Sequence, residues 1–145
     1  LKFCTSAPFA ADLKRQVLAR MPGGLIEIYS MTEGGVVCLL PCHEFPDKLH
    51  TVGRPAPGSE LKVLDDEDRE VPPGTAGNLI GRSLTMMSGY KNRPDKTKEA
   101  HWIDPATGEA WMRMGDIGRV DADGFVELVG RAKDMIISGG FNIYP

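Results

Sequence analysis

The chain has 145 residues, of which 41% are hydrophobic and 26% are charged, so its composition excludes a disordered tail and favours one ordinary soluble domain. The net charge is −3, and the basic residues are scattered, which argues against a nucleic-acid footprint or a polybasic membrane patch. No apolar run approaches the ~20 residues of a membrane span, and the first residues do not read as a signal peptide. The odd count of three cysteines argues against a disulfide framework. We therefore expect a cytoplasmic protein.

The first part of the chain predicts a helix followed by a strand. In APFAADLKRQVLARMPGG, apolar residues recur near helical spacing, and Pro-Gly-Gly ends the predicted helix; these apolar residues are Leu13, Val17, Leu18 and Met21. LIEIYS then predicts a short buried strand. Directly at its end, YSMTEGG (residues 29–35) collects an aromatic ring, two hydroxyls, a carboxylate and two glycines.

From about Leu49 the hydrophobic period shortens to that of strands. ELKVLDDEDREVPPGTAGNLIGRS predicts a strand, an acidic turn, a Pro-Gly loop and a second strand, and the turn sequences DPATG and DADG separate further short strands. KNRPDKTKE (residues 91–99) is expected to be a charged, solvated connection. The chain therefore predicts a mixed α/β fragment, the tail of an α/β unit followed by a small β-rich unit, a partial barrel or curled sheet.

Two stretches resemble metal sites without matching them. A set of Cys and His residues lacks the closely paired ligands of structural zinc, so core and loop positions are the better interpretation; the set is Cys38, Cys42, His43 and His50. DDEDRE (residues 65–70) lacks the central glycine and terminal glutamate of an EF-hand, and it predicts a hairpin turn.

A third stretch, MGDIGRVDADGFVELVGRAKD, is a stronger candidate for a functional site. Asp116 stands near the start of a predicted hairpin, and Arg131 and Lys133 stand near its end, so an acid and two bases can converge at one rim. By pattern alone, a surface salt-bridge cluster remains the somewhat better interpretation.

The chain resembles the adenylate-forming superfamily of acyl-CoA synthetases, peptide-synthetase adenylation domains and luciferases. Two motifs carry the resemblance, YSMTE and WMRMGDIGRVDADGFVELVGRAKDMIISGGFNIYP, and it extends over nearly the whole chain, from CTSAP to NIYP. The resemblance implies the C-terminal part of the large domain of an AMP-forming acyl-CoA synthetase. Residues 1–45 would end an α/β subdomain, residues 46–130 would form a β-rich distorted-barrel subdomain, and residues 131–145 would be the hinge and start of a C-terminal lid. The implied reaction joins a small-molecule carboxylic acid to coenzyme A through an acyl-adenylate, with ATP, Mg²⁺ and coenzyme A as cofactors.

The resemblance also implies a role for individual residues at the nucleotide. Tyr29 would stack on adenine, with the turn Ser6-Ala7-Pro8 on the other side of the base. Thr32 would bind the α-phosphate, and Glu33 would bind Mg²⁺. Glu27, Ser30 and Met31 complete the implied nucleotide-binding strand.

Further implied roles lie at the C-terminal end. Asp116 would accept the ribose hydroxyls and Arg131 would donate to the same region. Lys133 would be the hinge residue, assigned with Thr32 and Glu33 to catalysis, and Gly139 and Gly140 would border the pantetheine arm of coenzyme A. The acid itself would bind near Met31, Gly34 and Gly35.

The sequence departs from the family pattern at Ser6, Ser30 and Met114, none of which removes a charged group. The phosphate-binding loop and the lid with its catalytic lysine lie outside the chain, so we expect the 145 residues alone to be inactive. Two alternatives stay open: a peptide-synthetase-type adenylation domain, and a non-catalytic binding module derived from this family.

Overall fold

The computed structural model describes residues 2–4, 9–132, 136–138 and 141–143, and for Cys4 and the last two of these ranges it describes the backbone alone. Two helices and eleven strands follow one another along the described chain: β1 (Lys2–Cys4), α1 (Ala11–Arg20), β2 (Leu25–Met31), β3 (Gly34–Pro41), β4 (Arg54–Pro55), β5 (Ser59–Leu64), β6 (Gly77–Ser83), α2 (Pro94–Ala100), β7 (His101–Ile103), β8 (Ala110–Val120), β9 (Val126–Arg131), β10 (Ile136–Ser138) and β11 (Phe141–Ile143). None of the helices in these ranges is long and apolar enough to cross a membrane.

The N-terminal strands form one sheet in the order β1-β2-β3-β4. β1 runs parallel to β2, and the chain between them contains α1, which is the crossover that parallel neighbours require. β3 and β4 pair antiparallel to their neighbours. This β-α-β arrangement confirms the predicted end of an α/β unit.

The second sheet is a curled antiparallel half-barrel in the order β5-β6-β8-β7, with β9 also paired to β8. The acidic turn after β5 and the turns at DPATG and DADG lie where the sequence predicted them, between paired strands. Register shifts in the β6–β8 and β8–β9 pairs accompany the curl of the sheet. The predicted mixed α/β fold with a β-rich unit is confirmed, whereas the boundaries near residues 45 and 130 stay predictions.

The two sheets share a core in which β3 packs against β6. A Cβ at Gly81 would lie 2.4 Å from the backbone nitrogen of Val36, so only glycine allows this approach. The core cluster around it contains Val36, Cys38, Val52, Val63, Leu79, Met114 and Val126. A second cluster lies beneath α1 and contains Leu25, Leu40, Cys42, Leu49 and Phe125.

Helix α1 is present as predicted, but of its four periodic apolar residues only Val17 and Leu18 pack against the cluster beneath the helix. Leu13 and Met21 are 42% and 49% exposed, whereas Lys14 is 2% exposed. The Lys14 ammonium donates to the carbonyl oxygens of Leu49 and Thr51 at 2.7 and 2.9 Å and forms an ion pair with Glu27. Because these groups satisfy its charge, the lysine is tolerated in the core.

The charged connection at residues 91–99 contains a helix that the sequence analysis missed. α2 buries none of its side chains, so it carries no apolar periodicity to detect. Its local signals are Pro94 in the first turn, Asp95 near the N-terminus and Lys98 near the C-terminus, all of which favour helix ends.

Candidate functional site

The turn between β2 and β3 holds Thr32 and Glu33 against a neighbouring loop. Gly34 and Gly35, which follow, have φ angles of +92° and +85°, a region that glycine adopts without strain. A Cβ at Gly34 would lie 2.5 Å from the Cα of Met86, so the loop passes directly over the turn. The backbone N–H of Met87 also donates to the carbonyl oxygen of Glu33 at 2.8 Å.

Both carboxylate oxygens of Glu33 accept a hydrogen bond. The Thr32 hydroxyl donates to Oε2 at 2.8 Å, and the Tyr90 hydroxyl donates to Oε1 at 3.0 Å. These bonds lower the pKa of Glu33, with Thr32 as the largest cause, followed by the residue's own backbone N–H and Tyr90. Glu33 is therefore a fixed, charged carboxylate beside an exposed hydroxyl.

A second group of side chains joins the two sheets. The Tyr29 hydroxyl, from β2, donates to Oδ2 of Asp116, from β8, at 2.7 Å. Asp116 lies opposite Arg131 in the β8–β9 register, and Arg131 Nε is 3.6 Å from Asp116 Oδ1. Burial, and then the bond to Asp116, raises the pKa of Tyr29, so the phenol stays protonated as a donor.

The structure thus brings Tyr29, Asp116 and Arg131 together, with Thr32 and Glu33 on the turn that follows the same strand. Ser30 and Met31 continue β2 between them, Ser30 exposed and Met31 partly buried.

Glu27 lies apart from this group in the core. Its carboxylate is 2% exposed, pairs with Lys14 and accepts the backbone N–H of Phe9 at 2.9 Å. Direct contact between Glu27 and a nucleotide stays a prediction that this buried position does not favour. The bond to Phe9 instead ties Glu27 to the chain just after the predicted adenine turn.

Six of the predicted site residues lie outside the described residues. They are Ser6, Ala7 and Pro8 of the adenine turn, the hinge residue Lys133, and the glycines Gly139 and Gly140. Their roles stay predictions.

The residues weighed as a zinc set are dispersed. Cys38 belongs to the core between the sheets and Cys42 to the core beneath α1, while His43 Nδ1 contacts the carbonyl oxygen of Leu25 at 3.2 Å. Across the described ranges, no three His, Cys, Asp or Glu side chains are grouped to hold a metal ion.

Tyr90 is the site residue that the sequence analysis missed. It lies in a loop without periodicity and 57 residues from Glu33 in sequence, so spacing gives no sign of their contact. The only local signal is an aromatic residue after Gly89 in an otherwise mostly polar stretch.

Residues 1–91 match the family model described as AMP-binding enzyme. The chain belongs to this family. A long-chain-fatty-acid–CoA ligase of Salmonella typhimurium is 40% identical over 121 residues, which are 83% of this chain and 20% of the ligase. The resemblance to the adenylate-forming superfamily is confirmed, and the family's ligases include AMP-forming acyl-CoA synthetases.

Solved structures of two synthetases share the fold. The amide bond synthetase McbA from Marinactinospora thermotolerans superposes with a TM-score of 0.84 at 31% identity, over 94% of this chain and 27% of that one. The O-succinylbenzoate coenzyme A synthetase MenE from Bacillus subtilis, in complex with ATP and magnesium ion, gives 0.81 at 27% identity, over 99% of this chain and 29% of that one. The chain therefore spans between a fifth and three tenths of the length of these relatives.

Proposed function

We propose that this chain is the nucleotide-binding segment of an AMP-forming carboxylic acid–CoA ligase. The observation that carries the proposal is the meeting of Tyr29 and Asp116 across two sheets, beside the turn with Thr32 and Glu33. In the proposed reaction, the acid's carboxylate oxygen attacks the α-phosphorus of ATP and pyrophosphate leaves. The thiol of coenzyme A then attacks the acyl carbon of the acyl-adenylate, and AMP leaves.

The donor set at Glu33 fits Mg²⁺. Each carboxylate oxygen accepts one hydrogen bond and keeps a further lone-pair site, and such oxygens are the hard ligands that Mg²⁺ prefers. A bound Mg²⁺ would neutralise charge on the departing pyrophosphate. The adjacent Thr32 hydroxyl, exposed at the turn, would redirect its hydrogen toward the α-phosphate.

Asp116 fits a ribose. Its Oδ2 is occupied by Tyr29, whereas Oδ1 has only the loosely placed Arg131 at 3.6 Å. A carboxylate with a free lone-pair site binds sugar hydroxyls well, and Arg131 would add a donor for the same region. The bond to Asp116 also fixes the Tyr29 ring, which we propose stacks on adenine against Ser6, Ala7 and Pro8.

The remaining parts of the proposal follow the family. The acid would bind near Met31, Gly34 and Gly35, the chain would turn at the hinge residue Lys133, and coenzyme A would pass Gly139 and Gly140. We place the enzyme in the cytoplasm. We also propose that the chain does not catalyse adenylation by itself, since the related enzymes are more than three times as long.

The second candidate is an enzyme that transfers the activated acid to another acceptor, such as a carrier-bound thiol in a peptide synthetase. The similarity to an amide bond synthetase supports it, because that enzyme shares the fold without being named a CoA ligase. A non-catalytic binding module is the third candidate.

The experiment is ATP–pyrophosphate exchange by the complete enzyme, screened across fatty, aromatic and short carboxylic acids, followed by thioester formation with coenzyme A. We expect exchange that depends on one class of acid and a thioester with the same acid. Exchange without a thioester would favour the second candidate. No exchange with any acid would contradict an adenylating function.

A further inference from the structure

Glu33 and the loop that packs over it are connected through one side chain, Tyr90. The Tyr90 hydroxyl reaches Glu33 Oε1 at 3.0 Å, on the oxygen that Thr32 does not use. Without nucleotide, the two hydroxyls hold the two carboxylate oxygens separately, so together they fix both the position and the rotation of the carboxylate. Once the Thr32 hydroxyl turns toward the α-phosphate, the bond from Tyr90 is the one that remains.

Tyr90 is itself held by helix α2. Its backbone N–H donates to the Thr97 hydroxyl at 2.9 Å, and that hydroxyl donates to the carbonyl oxygen of Arg93 at 3.0 Å. A Cβ at Gly89 would lie 2.9 Å from the Thr97 side chain, so the chain before Tyr90 packs closely on the helix. A continuous series of contacts therefore runs from α2 through Tyr90 to Glu33.

We propose that Tyr90 is a positioning residue that orients the Glu33 carboxylate for a divalent cation. The inference rests on the proposed function, because it takes Glu33 as the metal ligand. Metal-binding carboxylates need hydrogen bonds that fix their orientation, and loss of such a partner typically weakens metal binding by about 10- to 100-fold. Tyr90 does not touch the metal in this account.

Since Tyr90 is 39% exposed, its hydroxyl is not needed to fill a buried space. Removal of the hydroxyl is therefore expected to leave the fold intact.

The test uses the complete enzyme and a non-hydrolysable ATP analogue with a methylene bridge between the α- and β-phosphates. Calorimetry gives the analogue's Kd without metal and with Mn²⁺, and Mn²⁺ electron paramagnetic resonance reports the bound ion. In Tyr90→Phe we expect the ratio of the analogue's Kd without metal to its Kd with Mn²⁺ to fall roughly tenfold. The Kd without metal should be unchanged. In pyrophosphate exchange, the Mg²⁺ concentration at half-maximal rate should rise by a similar factor, with kcat retained at saturating Mg²⁺.

Ser83→Ala is the matched control. It also removes one hydroxyl, from the last residue of β6 where this loop begins, and Ser83 Oγ lies 2.9 Å from the Thr85 hydroxyl rather than at Glu33. Its metal dependence should equal that of the wild type. A Tyr90→Phe variant with wild-type metal dependence would overturn the inference, and so would an equal loss in Ser83→Ala, which would indicate general loosening of the loop.

Glu33→Gln tests the metal-ligand role of Glu33 separately from the positioning role of Tyr90. If Glu33→Gln loses the metal-dependent affinity and Tyr90→Phe keeps it, only the positioning role is wrong. If Glu33→Gln keeps that affinity, Glu33 is not the metal ligand, and both its proposed role and the positioning role of Tyr90 fail, whereas pyrophosphate exchange still tests the adenylating function. Should Tyr90→Phe fail to fold, Thr97→Val replaces it by removing the acceptor of the Tyr90 N–H, and unchanged metal dependence there would also overturn the inference.

Discussion

The two carboxylate oxygens of Asp116 have different surroundings. Oδ2 accepts a hydrogen bond from Tyr29 at 2.7 Å, whereas Oδ1 faces Arg131 Nε at 3.6 Å, which is too long for a hydrogen bond. Arg131 is 73% exposed, and solvent-screened pairs of this kind contribute about 0–1 kcal/mol to stability. The ion pair with Arg131 therefore contributes too little stability to explain an aspartate at position 116. Its Oδ1 is the atom available to a ligand.

At the same scale, Cys38 is predicted to be chemically inert. Its side chain is fully buried, and burial raises the pKa of its thiol to about 12, so at pH 8 almost none of the reactive thiolate is present. We expect no alkylation of Cys38 by iodoacetamide at pH 8 in the folded protein and full alkylation in guanidinium chloride, followed by mass spectrometry of the Cys38 peptide. Rapid labelling of Cys38 in the native protein would show that the core between the sheets opens.

At the scale of an element, α1 is held both by Val17 and Leu18, which pack on the cluster beneath it, and by the buried charge of Lys14. Lys14→Met would leave Glu27 buried without its cation, and breaking a buried pair typically costs about 3 to 5 kcal/mol. We expect a large fall in the denaturant midpoint for Lys14→Met and a partial recovery in the double variant with Glu27→Gln, whose amide oxygen still accepts the Phe9 N–H.

The neighbouring Leu13 supplies the control for this prediction. Because Leu13 is 42% exposed, Leu13→Ala should change stability by only about 0.5 kcal/mol. If Leu13→Ala proves more costly than Lys14→Met, the buried ion pair is not what stabilises α1 on the core.

These elements show what the sequence could predict. The hairpins of the second sheet were predictable because Gly, Pro and Asp mark turns through local backbone chemistry. β3 was not assigned, because GGVVCLLP is a continuous apolar run that lacks strand alternation, and α2 has no apolar face at all. The burial of Lys14 in α1 was not predictable because its partners lie between 13 and 37 residues away in sequence.

At the scale of the whole molecule, the close packing of β3 on β6 holds the two sheets, and with them the two halves of the site, in place. Gly81→Ala would push a methyl group to 2.4 Å from the Val36 backbone nitrogen, and overpacking of this kind typically costs about 1 to 3 kcal/mol. We expect a lower melting temperature together with a raised KM for ATP in the complete enzyme, because Tyr29 and Asp116 lie on opposite sheets. A loss of stability with unchanged KM would mean that the site does not depend on this packing.

The candidate site was predictable only through the family resemblance. Spacing alone left Asp116 and Arg131 as a surface pair, and Tyr29 is 87 residues from Asp116, so only the fold brings them together. No local signal pointed from Tyr90 to Glu33, because their contact arises when a loop from the second sheet packs over a turn of the first.

The central claim is that Asp116 binds the ribose of ATP, and the most direct measurement is the KM for ATP of Asp116→Ala in the complete enzyme. Hydrogen bonds to charged groups contribute about 1.5 to 3 kcal/mol, so we expect the KM to rise roughly ten- to a hundredfold at an unchanged melting temperature. Arg119→Ala, which removes an exposed charge from the same strand, should leave the KM for ATP unaltered. A wild-type KM for ATP in Asp116→Ala, together with a lower melting temperature, would contradict the claim and make Asp116 a structural residue.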